Sequence, residues 1–350
     1  MKNVKVILWG LGAMGGGIGK MLAKKKGVDI VGGIDIGDKI GKNLYDVVPG
    51  IVQGDRADVI VGTPDEVIVP GAADIVVVCT NSFTKDVFDK LIFVMERGMN
   101  VITSAEEMAY PQAQEPELAK KLDECAKKNG VSVMGTGINP GLIMDLLVIL
   151  WTAACEEVNH ITSRRVNSLS PFGPAVMEEQ GIGMSVEDFN ERKAKGTMAG
   201  HVGFAESVGM MCEALGWKLE DFGQDMEPII TDVDRKSPYG FAPAGSVAGV
   251  AMKGWGIVDG ERKLDMDHPQ QIEPEQVGID TGDYVILDAV PPVNMAHSEC
   301  GIGTMAMIMN CIPHVINAKP GLRTMIDIPV PHAIMGDFRD LIDEDKKLIK

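Results

Sequence analysis

The chain has 350 residues, 45% hydrophobic and 24% charged, enough to bury a sizeable core and, at this length, to form two domains or one with a large insertion. Fifty acidic against 33 basic residues give a formal charge of −17, which repels phosphate backbones and anionic bilayers and argues against nucleic-acid and membrane partners. The six cysteines (Cys79, Cys125, Cys155, Cys212, Cys300, Cys311) form no C-x-x-C pair or compact Cys/His ligand spacing, so reduced thiols and no metal are expected.

The N-terminal residues lack a signal-peptide pattern and run almost at once into an apolar strand at residues 5–9, so a cytoplasmic protein is expected. That strand leads into Gly10-Leu11-Gly12-Ala13-Met14-Gly15, the G-x-G-x-x-G spacing, ahead of a helix-like segment. Gly10 permits the tight turn, Gly12 lets backbone approach a pyrophosphate, and Gly15 lets the helix pack closely on the strand. The phosphates then sit on unpaired N–H groups at the helix N-terminus. A second apolar run, residues 28–34, ends in Asp35, about 20 residues beyond Gly15, where an acid meets the adenosine ribose hydroxyls. Asp35 favours NAD because its charge repels a 2′-phosphate, while Lys39 and Lys42 soften that repulsion, so NAD or NADP is the expected cofactor.

Strand-like runs at 59–62, 73–79, 100–102 and 131–134 alternate with helical segments, among them 85–97 and 116–129. The run at 73–79 is continuously apolar, as strands covered on both faces are. This alternation predicts an α/β fold with an N-terminal doubly wound, Rossmann-type dinucleotide-binding domain. Ligands bind such sheets outside the carboxyl ends of the strands, so three loops become candidates: Thr80-Asn81-Ser82, Thr103-Ser104-Ala105-Glu106-Glu107, and Gly135-Thr136-Gly137-Ile138-Asn139-Pro140-Gly141. Each alone reads equally well as a turn with helix-capping residues.

The first domain is assigned to residues 1–140, with a C-terminal return at about 303–350, and the second to 141–302. Residues 160–167 read as a strand whose alternation places Ser163, Arg165 and Asn167 on one face and Arg164 on the other. Residues 185–215 read as mostly helical with a break at 196–203 that holds His201, and β-rich runs at 245–258 and 284–287 enclose a polar loop with His268. An α+β second domain with an open mixed sheet is expected. The Met-rich run 303–317 has helical spacing and returns to the first domain, its methionines read as core filler.

The glycine turn, the Glu106-Glu107 loop and the Asn139-Pro140-Gly141 loop, followed by Met144-Asp145, together resemble the 2,4-diaminopentanoate dehydrogenase and native amine dehydrogenase family. Its wider relatives are dihydrodipicolinate reductase and homoserine dehydrogenase. The resemblance implies NAD(P)-dependent oxidative deamination of 2,4-diaminopentanoate to 2-amino-4-oxopentanoate and ammonia, a step of ornithine breakdown, by a homodimer whose second domain is the substrate and dimerisation domain. The reductases carry a His-His-x-x-Lys pattern where this chain has His160-Ile161-Thr162-Ser163-Arg164, and homoserine dehydrogenases place a lysine at the position similar to Glu106. A carboxylate suits an amine substrate. Glu106, or its neighbour Glu107, is therefore the expected catalytic base, with Thr80, Asn81, Asn139, Pro140 and Gly141 holding the nicotinamide. The substrate carboxylate points to Arg165, supported by Asn167, His201 and His268. The alternatives are another oxidoreductase of the reductase or homoserine type, and a non-enzymatic dinucleotide-sensing regulator.

Overall fold

In the computed structural model, which describes residues 2–198, 200–298 and 303–343, the opening strand is β1 (Val4–Trp9), and helix α1 (Ala13–Leu22) follows the glycine turn. There follow β2 (Val28–Ile34), α2 (Leu44–Val47), β3 (Val61–Gly62), α3 (Pro64–Val67), β4 (Ile75–Val78), α4 (Thr84–Met95), β5 (Asn100–Thr103), α5 (Pro116–Asn129) and β6 (Ser132–Gly135). The strands lie parallel in the order β3-β2-β1-β4-β5-β6. β1 therefore has β2 on one side and β4 on the other, and the chain reverses its direction of winding between β1 and β4, where such sheets bind ligands. Every residue of β4 and β5 is buried, which is why the run at 73–79 reads as unbroken instead of alternating.

The described chain divides into two compact units, Met1–Leu142 with Ile302–Lys350, and Ile143–Gly301. The second unit comprises α6 (Leu146–Thr152), β7 (Glu157–Ser168), α7 (Pro174–Glu179), α8 (Val186–Ala194), α9 (Phe204–Leu215), β8 (Asp221–Ile230), β9 (Arg235–Lys236), β10 (Phe241–Ala242), β11 (Val247–Val258), β12 (Glu261–Gln271), β13 (Gly282–Val290) and β14 (Val293–His297). Six of its strands form a mixed sheet, β14-β13-β7-β12-β11-β8, with β7 and β12 parallel and the other pairs antiparallel. Helix α9 packs on β11 and β8, and α6 packs on α9 and β13. His268 lies on β12, within the sheet, and not in the polar loop expected from composition. The cause is visible in the pattern Leu264, Met266, His268, Gln270: these positions are buried while the intervening acids point outward, so the charged half of an alternating strand imitates a loop.

The chain then returns to the first unit. Helix α10 (Thr304–Asn317) packs against α1, β5 and β6, and β15 (Gly321–Arg323) adds a seventh parallel strand beside β6. Met307 and Met309 are buried, and Met305 lies against Gly17 of α1, where a Cβ would come within 1.9 Å of the Met305 sulfur. Methionine fills the gap that the glycines of α1 leave. The five described cysteines are free thiols; Cys300 lies outside the described residues. Among the described residues no helix is long and apolar enough to cross a membrane, and no group of three or more His, Cys, Asp or Glu is placed to hold a metal.

Candidate active site

The turn after β1 is built by close approaches that only glycine permits. Gly10 has φ +94°, and a Cβ there would stand 2.3 Å from the Cys79 carbonyl oxygen at the end of β4. A Cβ on Gly15 would stand 1.9 Å from the Gly10 oxygen, so α1 sits directly on the turn. Gly12 differs: a Cβ there would meet nothing within 4 Å, and as N-cap of α1 it brings no side-chain cap to the first N–H groups of the helix. Ala13 is exposed and Met14 half-buried at that end, so uncapped N–H groups open onto accessible space, the cradle a diphosphate needs.

Asp35, just past β2, is tied to this turn. Its Oδ2 accepts from the Leu11 N–H at 2.9 Å and from Lys39 Nζ at 2.7 Å, and its Oδ1 accepts from the Ile36 N–H. Burial pushes its pKa up, but these hydrogen bonds and the Lys39 charge outweigh it and hold the carboxyl below its ordinary value. Lys39 also donates to the Leu11 carbonyl, whereas Lys42 pairs with Asp38. Of the two lysines, Lys39 is thus the one that contacts Asp35. The accessible turn, the uncapped helix and the fixed acid fit a dinucleotide.

The three loops at the carboxyl ends of β4, β5 and β6 converge on one cleft of ≈ 240 Å³, whose walls include Met14, Thr80, Asn81, Glu106, Asn139 and Pro140. Backbone bonds lace the loops together: Ser104 N–H donates to Val78, Glu107 N–H to Ser82, and Thr136 N–H to Thr103. Gly141 closes the last loop with φ +126°, where a Cβ would fall 2.6 Å from both N and O of Gly137. The Ile138 N–H donates to Thr304 Oγ1, which joins the start of α10 to the same loop.

The paired carboxylates have different surroundings. Glu106 lines the cleft, where burial raises its pKa; a hydrogen bond from Ser82 opposes that rise and the charge of Glu107 adds to it. Glu107 is buried and turned away: its Oε2 accepts from the Thr84 N–H at 2.7 Å, the first N–H of α4, and Gln114 Nε2 lies 3.5 Å from its other oxygen. It does the work of a helix cap.

In the second unit, β7 places Ser163, Arg165 and Asn167 on its buried face, while the Arg164 side chain is 45% exposed and pairs with Asp267. That buried face changes character along the strands. Ile161 is in register with Leu264 and Leu287, an apolar end, whereas Arg165 is in register with Asp283, and Asn167 with Gln270, a polar end. Arg165 Nε is 3.4 Å from Asp283 Oδ1, both side chains almost fully buried. His268 Nε2 is 2.9 Å from Asn167 Oδ1, and its ring lies 4.8 Å from that of His201, edge to face. Burial and the nearby Arg165 charge push His201 down to about 3, and burial, His201 and Arg165 push His268 well below its ordinary value, so both rings are neutral at pH 7. With Asn167 oxygen accepting, His268 carries its proton on Nε2, and Nδ1 becomes a buried acceptor with no hydrogen-bond partner among the described residues.

Two neighbours of these residues escape a reading by motif, Thr304 at the cleft and Asp283 beside Arg165, whereas Ser82 lies in a loop the sequence already offered. For Asp283 a signal exists. It begins the inward series Asp283, Val285, Leu287 on β13, and an acid at an inward position demands a partner.

Residues 142–344 match the family model described as the 2,4-diaminopentanoate dehydrogenase C-terminal domain. A 2,4-diaminopentanoate dehydrogenase of Acetoanaerobium sticklandii is 66% identical over 354 aligned positions covering 100% of both chains. An amine dehydrogenase of Streptomyces virginiae is 24% identical over 247 positions, 65% of this chain and 67% of that one. Among solved structures, an amine dehydrogenase from Mycobacterium smegmatis superposes with a TM-score of 0.83 at 24% identity, over 96% of this chain and 98% of that one. A myo-inositol dehydrogenase from Lactobacillus casei, in complex with NAD(H) and myo-inositol, gives a TM-score of 0.55 at 10% identity, over 93% and 90%. The last two are likenesses of fold.

Proposed function

The chain belongs to the 2,4-diaminopentanoate dehydrogenase family, and from that premise we propose that it catalyses NAD(P)-dependent oxidative deamination of 2,4-diaminopentanoate to 2-amino-4-oxopentanoate and ammonia, reversible as a reductive amination. The observation that carries the chemistry is Glu106: a carboxylate in the cleft at the carboxyl edge of the sheet, beside the glycine turn, with its basicity raised by burial. When bound, the dinucleotide supplies the acceptor for a hydrogen leaving with its electron pair. Glu106 takes a proton from the C4 ammonium, and the freed nitrogen lone pair expels that hydrogen to leave a C4 iminium. After releasing the proton to solvent, the same carboxylate assists water in adding to the iminium, and ammonia departs as the ketone forms.

Gly10, Leu11, Gly12, Ala13, Met14, Gly15 and Asp35 serve the adenosine diphosphate half of the cofactor, and Thr80, Asn81, Asn139, Pro140 and Gly141 the nicotinamide half. Arg165 serves as the partner of the substrate carboxylate, with Asn167, His201 and the unpartnered Nδ1 of His268 offering further hydrogen bonds. Glu107 acts through α4 and through its charge on Glu106, not as the base. The same reading makes the protein a cytoplasmic homodimer acting in ornithine degradation.

The test incubates the protein with NAD or NADP and 2,4-diaminopentanoate, following reduced cofactor and ammonia, beside homoserine and simple amines. Turnover of the diamino acid with stoichiometric ammonia is expected. Turnover of homoserine alone would assign the chain to alcohol chemistry, and no turnover of any diamino acid would remove the proposal.

A further inference from the structure

Lys90 sits on α4 and is not one of the cleft's walls. Its Nζ is 3.0 Å from Thr80 Oγ1, 2.9 Å from Asn81 Oδ1 and 3.0 Å from the Asp86 carbonyl oxygen. Those three contacts use the whole donor capacity of an ammonium group. All three acceptors are uncharged, so the cation itself is not neutralised by the groups it binds. Its half-buried position lowers its pKa through lost hydration, which the nearby Asp86 charge opposes in part.

An ammonium only donates, and this settles the orientation of its partners. The Asn81 atom beside Lys90 must be the amide oxygen, so the Asn81 amide nitrogen points elsewhere with two hydrogens to give. Thr80 Oγ1 must accept, which leaves its own hydroxyl hydrogen to donate in another direction. Thr80 and Asn81 both line the cleft that holds Glu106. Lys90 thus turns two ambivalent side chains into donors, suited to acceptor oxygens such as ribose hydroxyls or a carboxamide carbonyl.

We propose that Lys90 is a positioning residue that presets Thr80 and Asn81 as hydrogen-bond donors to the nicotinamide riboside half of the dinucleotide. This rests on the dinucleotide reading above. Removal of Lys90 lets the Asn81 amide rotate and the Thr80 hydroxyl accept, so binding of that half loses its pre-orientation. On that reading the adenosine diphosphate half lies at the glycine turn and Asp35 and makes no use of Thr80 or Asn81. The loss is therefore selective: NADH weakens, whereas ADP, which lacks the nicotinamide riboside, does not.

The experiment titrates NADH by its fluorescence and ADP by calorimetry against the wild-type full chain, Lys90→Met and Lys90→Arg, with thermal melting of each. The expected result is an NADH Kd raised about tenfold in Lys90→Met, the size of one or two lost oriented hydrogen bonds. The ADP Kd and Tm stay near wild type, and Lys90→Arg, still a multiple donor, recovers most of the NADH affinity. An unchanged NADH Kd in Lys90→Met overturns the proposal. Parallel weakening of NADH and ADP with a lowered Tm also overturns it, because Lys90 would then merely brace α4. NADPH replaces NADH throughout if the wild type prefers it, and wild-type protein that binds none of NADH, NADPH and ADP refutes the dinucleotide reading itself, a distinct result.

Discussion

Glu106 and Glu107 are adjacent in sequence yet assigned to different tasks by what their oxygens touch: a cleft wall with a Ser82 hydroxyl, against the first N–H of α4. Glu106→Gln keeps the shape and removes the proposed base, and kcat for deamination is expected to fall by about 10²–10⁴-fold, with NADH affinity retained. The pH dependence carries a sign. Burial raises the Glu106 pKa, and only the ionised form accepts the ammonium proton, so kcat/KM should fall with acid at a higher pH than a solvent-exposed glutamate would give. Ser82→Ala removes a bond that favours the charged form and moves this limb to higher pH. Glu107→Gln removes a repelling charge and moves it lower. Pre-steady-state pH profiles of the two variants check this, and shifts in the same direction would contradict the assignment. The adjacent pair itself was legible in sequence, but not the division of labour, which depends on Thr84 and Ser82 arriving from another loop.

At the scale of elements, legibility followed periodicity. β7 announces its buried face through Ser163, Arg165 and Asn167, and α5 matches its amphipathic pattern over Pro116–Asn129. β15, three residues long, and the two-residue β9 and β10 have too few positions to show a period. β12 hid its inward half behind outward acids. Helix α1 defies propensity, with four of its ten residues glycine, because the packing leaves no room for side chains on that face. Gly15→Ala and Gly17→Ala exchange a poor helix former for the best one and should nonetheless destabilise, by about 1–3 kcal/mol each, since overpacking outweighs propensity. Chemical denaturation of the single variants measures this. Gly15→Ala should be the worse, because its obstacle is the Gly10 backbone, whereas Met305 can bend away from Gly17.

For the whole molecule, the buried neutral histidines impose a pH dependence on stability. The unfolded chain protonates histidine near 6.5, while His268 in the folded protein does so only well below that, and His201 only at about 3. Between those values the unfolded state holds more protons, so stability present above pH 6.5 is lost as pH falls. The slope from His268 alone reaches about 1.4 kcal/mol per pH unit. Urea melts at pH 7.0, 6.0 and 5.0 should show this loss before most carboxylates titrate, and His268→Gln should flatten it. A protein with a formal charge of −17 ordinarily sheds repulsion on mild acidification, so an early loss of stability is diagnostic of the histidines.

The glycine turn also separates two kinds of genetic lesion. Gly10 and Gly15 are held by their own backbone, so changing them is an injury to folding whether or not a ligand exists. Gly12, at φ −78° with nothing within 4 Å of a Cβ, has no such reason to be glycine. An alanine there meets only what comes from outside the chain. Gly12→Ala is therefore expected to yield an intact, normally melting protein whose NADH titration is flat. Selection at that single position would be a record of the cofactor rather than of the fold, and a wild-type Kd in this variant would show that the diphosphate is held somewhere else.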